Sequence, residues 1–121
     1  MSPAARSVQV FGVYLLVLAL ALLVAPNALL TTFGLPPTSE VWIRVVGMLV
    51  GFLGFYYRVA AAAELTPVFV ASVFARASVL LFFATFVAAG WVGPALLPFG
   101  VVDAIGAAWT WAALRRTPAR A

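Results

Sequence analysis

Four apolar runs govern what this chain can become, each close to the ~20 residues that a helix needs to cross ~30 Å of hydrocarbon. The first covers about 8–25 and ends at Pro26-Asn27. The second covers about 41–63, after the turn-forming Gly34-Leu35-Pro36-Pro37. The third opens at Thr66-Pro67, a capping residue followed by proline at the first helical position, and fills about 67–89 before Gly90. The fourth covers about 95–114 and is followed by Arg115-Arg116-Thr117-Pro118. In lipid the backbone must satisfy its own hydrogen bonds within each segment, so all four runs are predicted as helices. The expected fold is all-α. It is an integral membrane four-helix bundle, antiparallel and up-down-up-down, forming a single transmembrane domain over 1–121.

Composition agrees. Of 121 residues 66% are hydrophobic and only 8% charged, where a soluble domain carries roughly 25% charged residues. Disordered chains are polar and charged, so disorder is excluded as well. There is no cysteine and no histidine. That removes disulfides, thiol catalysis, Cys/His zinc sites, haem held by His or Cys, and histidine acid–base chemistry. No cofactor and no metal are expected. Arg6 ahead of the first run resembles the start of a signal peptide. The run is longer than the usual ~7–15 apolar residues and no clean small-x-small site follows, so it reads as a retained helix.

All seven basic residues are arginines. With four crossings, Arg6, Arg58, Arg115, Arg116 and Arg120 fall on the side of the termini and Arg44 toward the other, while Arg76 lies within the third run. That bias predicts both termini in the cytoplasm. Trp42 and Trp91 would mark the outer interface, and Tyr56, Tyr57, Trp109 and Trp111 the inner one. The net charge of +4 therefore reports topology, and no nucleic-acid partner is expected. The one long connection, 26–40, carries Leu29, Leu30, Phe33 and Leu35. It is expected to lie on the membrane surface or to fold over the mouth of the bundle.

The second run holds the clearest pattern. Glu40, Arg44, Gly47, Gly51, Gly54 and Arg58 follow at spacings of 4, 3, 4, 3 and 4, which places them on one helical face. Gly47 and Gly51 form a G-x-x-x-G pair, the small-residue spacing that lets helices approach closely in lipid. Such a stripe is either a seam against another helix of the bundle or a groove for a flexible ligand tail. Arg44 and Arg58 would lie about 21 Å apart along the axis, so one headgroup cannot touch both.

Arg76 falls near the bilayer middle, where an arginine costs at least ~2.5–3.5 kcal/mol and normally faces inward with a partner. Asp103 in the fourth run is the natural candidate, with Ser72 and Thr110 on the same faces. One reading is a buried pair that fixes helix register and does nothing more. Another begins from charge: Arg44 and Arg76 face the single carboxylate Asp103, with Glu40 as the other possible balance. The surplus would then attract an anionic or polar headgroup, with Tyr57 one step off the glycine face. Proton or ion translocation through the pair is a third.

A set of features ordered along the chain carries a resemblance. Leu29-Leu30-x-x-Phe33-Gly34-Leu35-Pro36 is followed by Arg44-x-x-Gly47 and Tyr56-Tyr57. Arg76 and Phe99-Gly100-x-x-Asp103 complete the set. Together these resemble small bacterial four-helix membrane proteins of the DoxX-like kind, over nearly the whole chain. The resemblance implies a bacterial cytoplasmic membrane and an accessory or hydrophobic-ligand role. Some members of that group look like small subunits of membrane redox complexes that deal with quinone.

The expected function is binding a hydrophobic ligand (lipid, isoprenoid or quinone), or service as an accessory subunit of a membrane complex, with a homo-oligomer as the expected assembly. The ligand-binding candidates are Arg44, Arg76, Asp103, Glu40, Gly47, Gly51, Gly54 and Tyr57. A small oligomeric transporter or channel is the alternative. An exporter of this size needs an acidic residue in its first helix, and 8–25 has none. An intramembrane enzyme, with Asp103 as acid or base, comes third. One carboxylate without His, Cys or metal is a thin catalytic set, and no catalytic residue is assigned.

Overall fold

The computed structural model describes residues 1–116, which fold as five helices and a short 3-10 turn; among them there is no strand. The helices are α1 Pro3–Val24, α2 Pro26–Thr32, α3 Trp42–Ala62, α4 Thr66–Ala88 and α5 Leu97–Arg116, the last entered through the turn Pro94–Leu96. Four segments are long and apolar enough to cross a membrane. Their bounds follow the four apolar runs closely, except that α1 begins five residues before the run that predicts it. Arg120, counted above with the inner arginines, lies outside the described residues.

The early start of α1 has a local cause. Ser2 caps the helix by accepting the Ala5 N–H at 3.1 Å, and Pro3 supplies the preset first-turn geometry. Ser2 is itself held by Glu64 in the α3–α4 connection. Its backbone N–H and its hydroxyl each donate to one oxygen of that carboxylate, both at 2.6 Å. Glu64 adopts φ 53° to do so, a left-handed conformation that closes α3. The carboxylate thus pins the start of α1 to the far end of α3.

Pro26 ends α1, because it lacks an N–H and pushes Ala25 out of helical geometry (φ −139°, ψ 62°). The chain then makes the seven-residue α2, which apolar periodicity alone does not single out. Asn27 fixes the connection behind it: its side-chain amide donates to the Thr38 carbonyl at 3.1 Å and accepts the Thr38 N–H at 2.9 Å. Gly34, at φ +79°, turns the chain and Leu35 drops into the interior. Phe33 meets the edge of Phe99 at 5.0 Å between ring centroids, joining α2 to α5.

α1 is the central helix, packed along α3 on one side and against α5 on another, while α5 packs on α4. The α1–α3 seam is the glycine stripe. A Cβ on Gly54 would lie 2.8 Å from the Gly12 carbonyl oxygen, and one on Gly47 would lie 2.8 Å from Leu22 Cβ. Backbones this close exclude anything larger than hydrogen. The core gathers Val8 and Phe11 of α1, Ala61 of α3, Phe69 of α4 and Ala113 of α5. Leu20, Phe74, Leu81 and Ile105 point outward, more apolar surface than helices in water present.

Candidate functional site

Arg76 is 97% buried, at the meeting point of four helices. Its guanidinium donates through Nε to the Ser72 carbonyl at 3.2 Å and through Nη2 to two hydroxyls, Ser72 at 3.0 Å and Thr110 at 2.8 Å. The Phe11 ring of α1 lies 4.7 Å from the guanidinium carbon and the Tyr57 ring of α3 lies 5.7 Å from it. A hydrogen bond to a charged group contributes ~1.5–3 kcal/mol and a desolvated cation–π contact up to ~2. Two or three such contacts would offset the ~2.5–3.5 kcal/mol that an arginine costs inside a bilayer.

The hydroxyls form an ordered chain. Arginine only donates, so Thr110 accepts from it. Ser7 spends its one proton on the Ala4 carbonyl at 2.7 Å. The 2.7 Å contact between Ser7 and Thr110 is therefore donated by Thr110. Bonds run in one direction from α4 through α5 to the backbone of α1. Ser72 behaves likewise, accepting from Arg76 and donating to the Phe69 carbonyl at 2.8 Å.

Nη1 is the exception: it is buried and has no hydrogen-bond partner. Gly106 makes room for it. A Cβ there would stand 3.1 Å from Nη1 and 2.7 Å from the Phe11 ring.

The residues singled out from the sequence are distributed rather than clustered. Arg76 and Tyr57 come together through the ring contact. Asp103 lies one helical turn before Gly106 on α5 and within Coulombic reach of Arg76. Among the described residues no hydrogen bond or ion pair engages its carboxylate. Hydroxyls, not a carboxylate, hold the buried cation. Arg44 is exposed and distant in role. It donates through Nη1 to the Leu23 carbonyl and so caps the C-terminal end of α1, where carbonyls are unpaired and a cation is favoured. Glu40 is exposed in the connection before α3. Gly47, Gly51 and Gly54 face α1, which fills the groove that a ligand tail would need. Ser7, Phe11 and the role of Gly106 were not legible as site residues. The repeat Ser7–Phe11–Leu15 on one face of α1 is the signal that points to them.

Space for a ligand lies elsewhere. A cavity of about 270 Å³ opens between α1, α2 and α5. Tyr14 and Ala21 line it from α1, Leu29 and Phe33 from α2, and Phe99 and Val102 from α5. The 26–40 connection thus supplies one wall of this cavity. Phe99 and Asp103 are four residues apart, so Asp103 continues the cavity-lining stripe of α5 by one turn. Tyr14, on the cavity wall, lies within reach of the Asp103 charge. Along the α1–α5 interface the layers are therefore Ser7 with Thr110, Phe11 with Gly106, Tyr14 near Asp103, and then the cavity.

No family model, curated protein or solved structure matches this chain.

Proposed function

We propose that this chain is an antiparallel four-helix bundle embedded in a bacterial cytoplasmic membrane, with both termini cytoplasmic, that binds a small apolar molecule. It acts alone, as a homo-oligomer, or as an accessory subunit of a membrane complex. The observation that carries this reading is the cavity between α1, α2 and α5. Apolar cavities of ~150 Å³ already take up benzene, and ligand pockets begin near ~300 Å³. About 270 Å³ suits one substituted ring or a short branched chain, not a whole phospholipid. The membrane placement is supported by the four long apolar helices and their outward Leu and Phe side chains. The arginine bias supports the orientation.

Native mass spectrometry in mild detergent, with 4-propylanisole supplied, tests the reading. The wild type should carry the probe, and Ala21→Trp, which fills the cavity, should not. Equal loading of the two proteins, or none in either, overturns it.

A further inference from the structure

The wall of the cavity between α1, α2 and α5 is almost wholly carbon: of nine lining residues, only Tyr14 carries a polar atom in its side chain. A polar group that enters such a space meets at most one hydroxyl, and a buried polar group without a partner is costly. The wall therefore takes hydrocarbon and discriminates against atoms that need hydrogen bonds.

The way in is from the side. Three lining residues are also part of the outer surface: Val17 of α1 is 64% exposed, Phe33 46% and Val102 of α5 39%. Val17 stands seven residues before the end of α1, and Val102 five after the start of α5. At ~1.5 Å per residue, that is about 10 and 7 Å inside the helices. The α2 wall is anchored at both ends, by buried Pro26 and by Leu35 just beyond it, and Asn27 is tied to Thr38 by two hydrogen bonds. The opening between α1 and α5 thus needs no movement of α2.

Resting on the reading that the helices span a membrane and that the cavity binds an apolar molecule, we propose that the cavity is a socket for the hydrocarbon end of a membrane amphiphile. The last segment of an acyl or prenyl chain enters sideways past Val17 and Val102 and packs against Phe33 and Phe99. The polar head and the rest of the chain stay in the bilayer, since about 270 Å³ holds only part of such a molecule. Moving hydrocarbon from lipid into protein yields little hydrophobic gain, so affinity comes from close packing. Selectivity comes from the absence of polar partners.

Four probes test this on the full chain in digitonin, a detergent with no alkyl chain to compete, with affinities expressed as mole fractions in the micelle. They are dodecanol, the dodecanediol with a hydroxyl at each end, farnesol and 4-propylanisole. Dodecanol can bury a bare end; the diol cannot, and should bind at least about tenfold more weakly. Farnesol above dodecanol identifies a prenyl chain, and the reverse order an acyl chain. In Tyr14→Phe dodecanol should bind as in the wild type, because its hydroxyl is outside. Equal affinity for dodecanol and the diol overturns the socket. So does binding of 4-propylanisole with dodecanol and farnesol both excluded, or loss of dodecanol from a Tyr14→Phe variant that still takes 4-propylanisole. Each of these leaves the cavity reading standing. If no probe binds, or if Ala21→Trp binds them as the wild type does, the cavity reading itself fails. The wild-type comparison of alcohol and diol decides the matter even if a variant does not fold.

Discussion

Gly106 and Phe11 occupy one space. The ring of Phe11 lies where a side chain on Gly106 would begin, 2.7 Å from the position of its first carbon, and Arg76 Nη1 fills the remaining flank at 3.1 Å. The glycine admits both the aromatic face and the cation that rests on it.

Gly106→Ala should therefore be costly although it adds one methyl group. The ring must shift, and its contact with the guanidinium goes with it. A loss of about 1–3 kcal/mol is expected from overpacking alone, read as a lowered midpoint of denaturant unfolding in micelles. Gly106→Ala with Phe11→Leu should recover part of that loss, since the crowding atoms are removed. A single alanine variant as stable as the wild type would contradict the close fit.

Thr110 is the hydroxyl that both Arg76 and Ser7 depend on. Thr110→Val keeps the shape and removes the oxygen, leaving one N–H of Nη2 unpaired while the other still reaches Ser72. Destabilisation of about 1–3 kcal/mol is expected, with Thr110→Ser close to wild type. Ser7→Ala in the Thr110→Val background should add less than it does alone, because the bond it breaks is already gone. Strict additivity in that double-mutant cycle would show that the two hydroxyls are not coupled.

The glycines of α3 should rank by what an added carbon meets. Gly54→Ala faces the Gly12 carbonyl at 2.8 Å, a backbone atom that cannot step aside, and should cost the most. Gly47→Ala meets Leu22 Cβ at 2.8 Å and should come second. Gly51→Ala meets Ala19 Cβ at 3.3 Å, a tight contact that a shift of a few tenths of an ångström relieves, and should stay within about 1 kcal/mol of the wild type. Unfolding midpoints of the three variants give the order directly, and Gly51→Ala as the worst would refute the seam.

Glu64 ties the first turn of α1 to the α3–α4 connection through two bonds of 2.6 Å. Glu64→Ala removes both and leaves an alanine at positive φ. Amide hydrogen exchange over residues 5–8 should quicken by roughly tenfold, the equivalent of about 1.4 kcal/mol, while the middle of α1 is unchanged. Unaltered exchange in the first turn would mean that the cap alone holds it.

Much of this arrangement was readable in advance. Hydropathy located the four long helices, because length and apolarity are what a bilayer selects. The 4-3-4-3-4 spacing put the glycines on one face, and that face became the α1–α3 seam. Arg76 announced itself as a buried cation requiring partners, and Ser72 and Thr110 were on the right faces. Which of the candidates would bond it directly was left open, and the structure gives the hydrogen bonds to Ser72 and Thr110 and leaves Asp103 within Coulombic reach only. A carboxylate is the obvious counter-charge, but sequence spacing does not show that Asp103 sits one turn too far along α5 whereas Thr110 falls beside the guanidinium. Ser7 was invisible for another reason: it precedes the apolar run, in a turn that becomes helical only because Ser2 and Glu64 hold it. α2 escaped notice because seven residues hardly define a period. The cavity beneath it therefore belongs to no single segment and emerges only from packing.

The ordering of protons along Arg76, Thr110, Ser7 and the Ala4 carbonyl has one more consequence. A row of hydroxyls conducts protons by turning over, each oxygen taking a proton from behind as it releases its own ahead. Here the row begins at a guanidinium, which has no lone pair to receive a proton if the row reverses, and ends at an amide carbonyl, which has no proton to hand on. Every rotor is held in a single orientation. Each end of the polar thread through the middle of the bundle is thus a group that only donates or only accepts, and the hydroxyls between them share one direction.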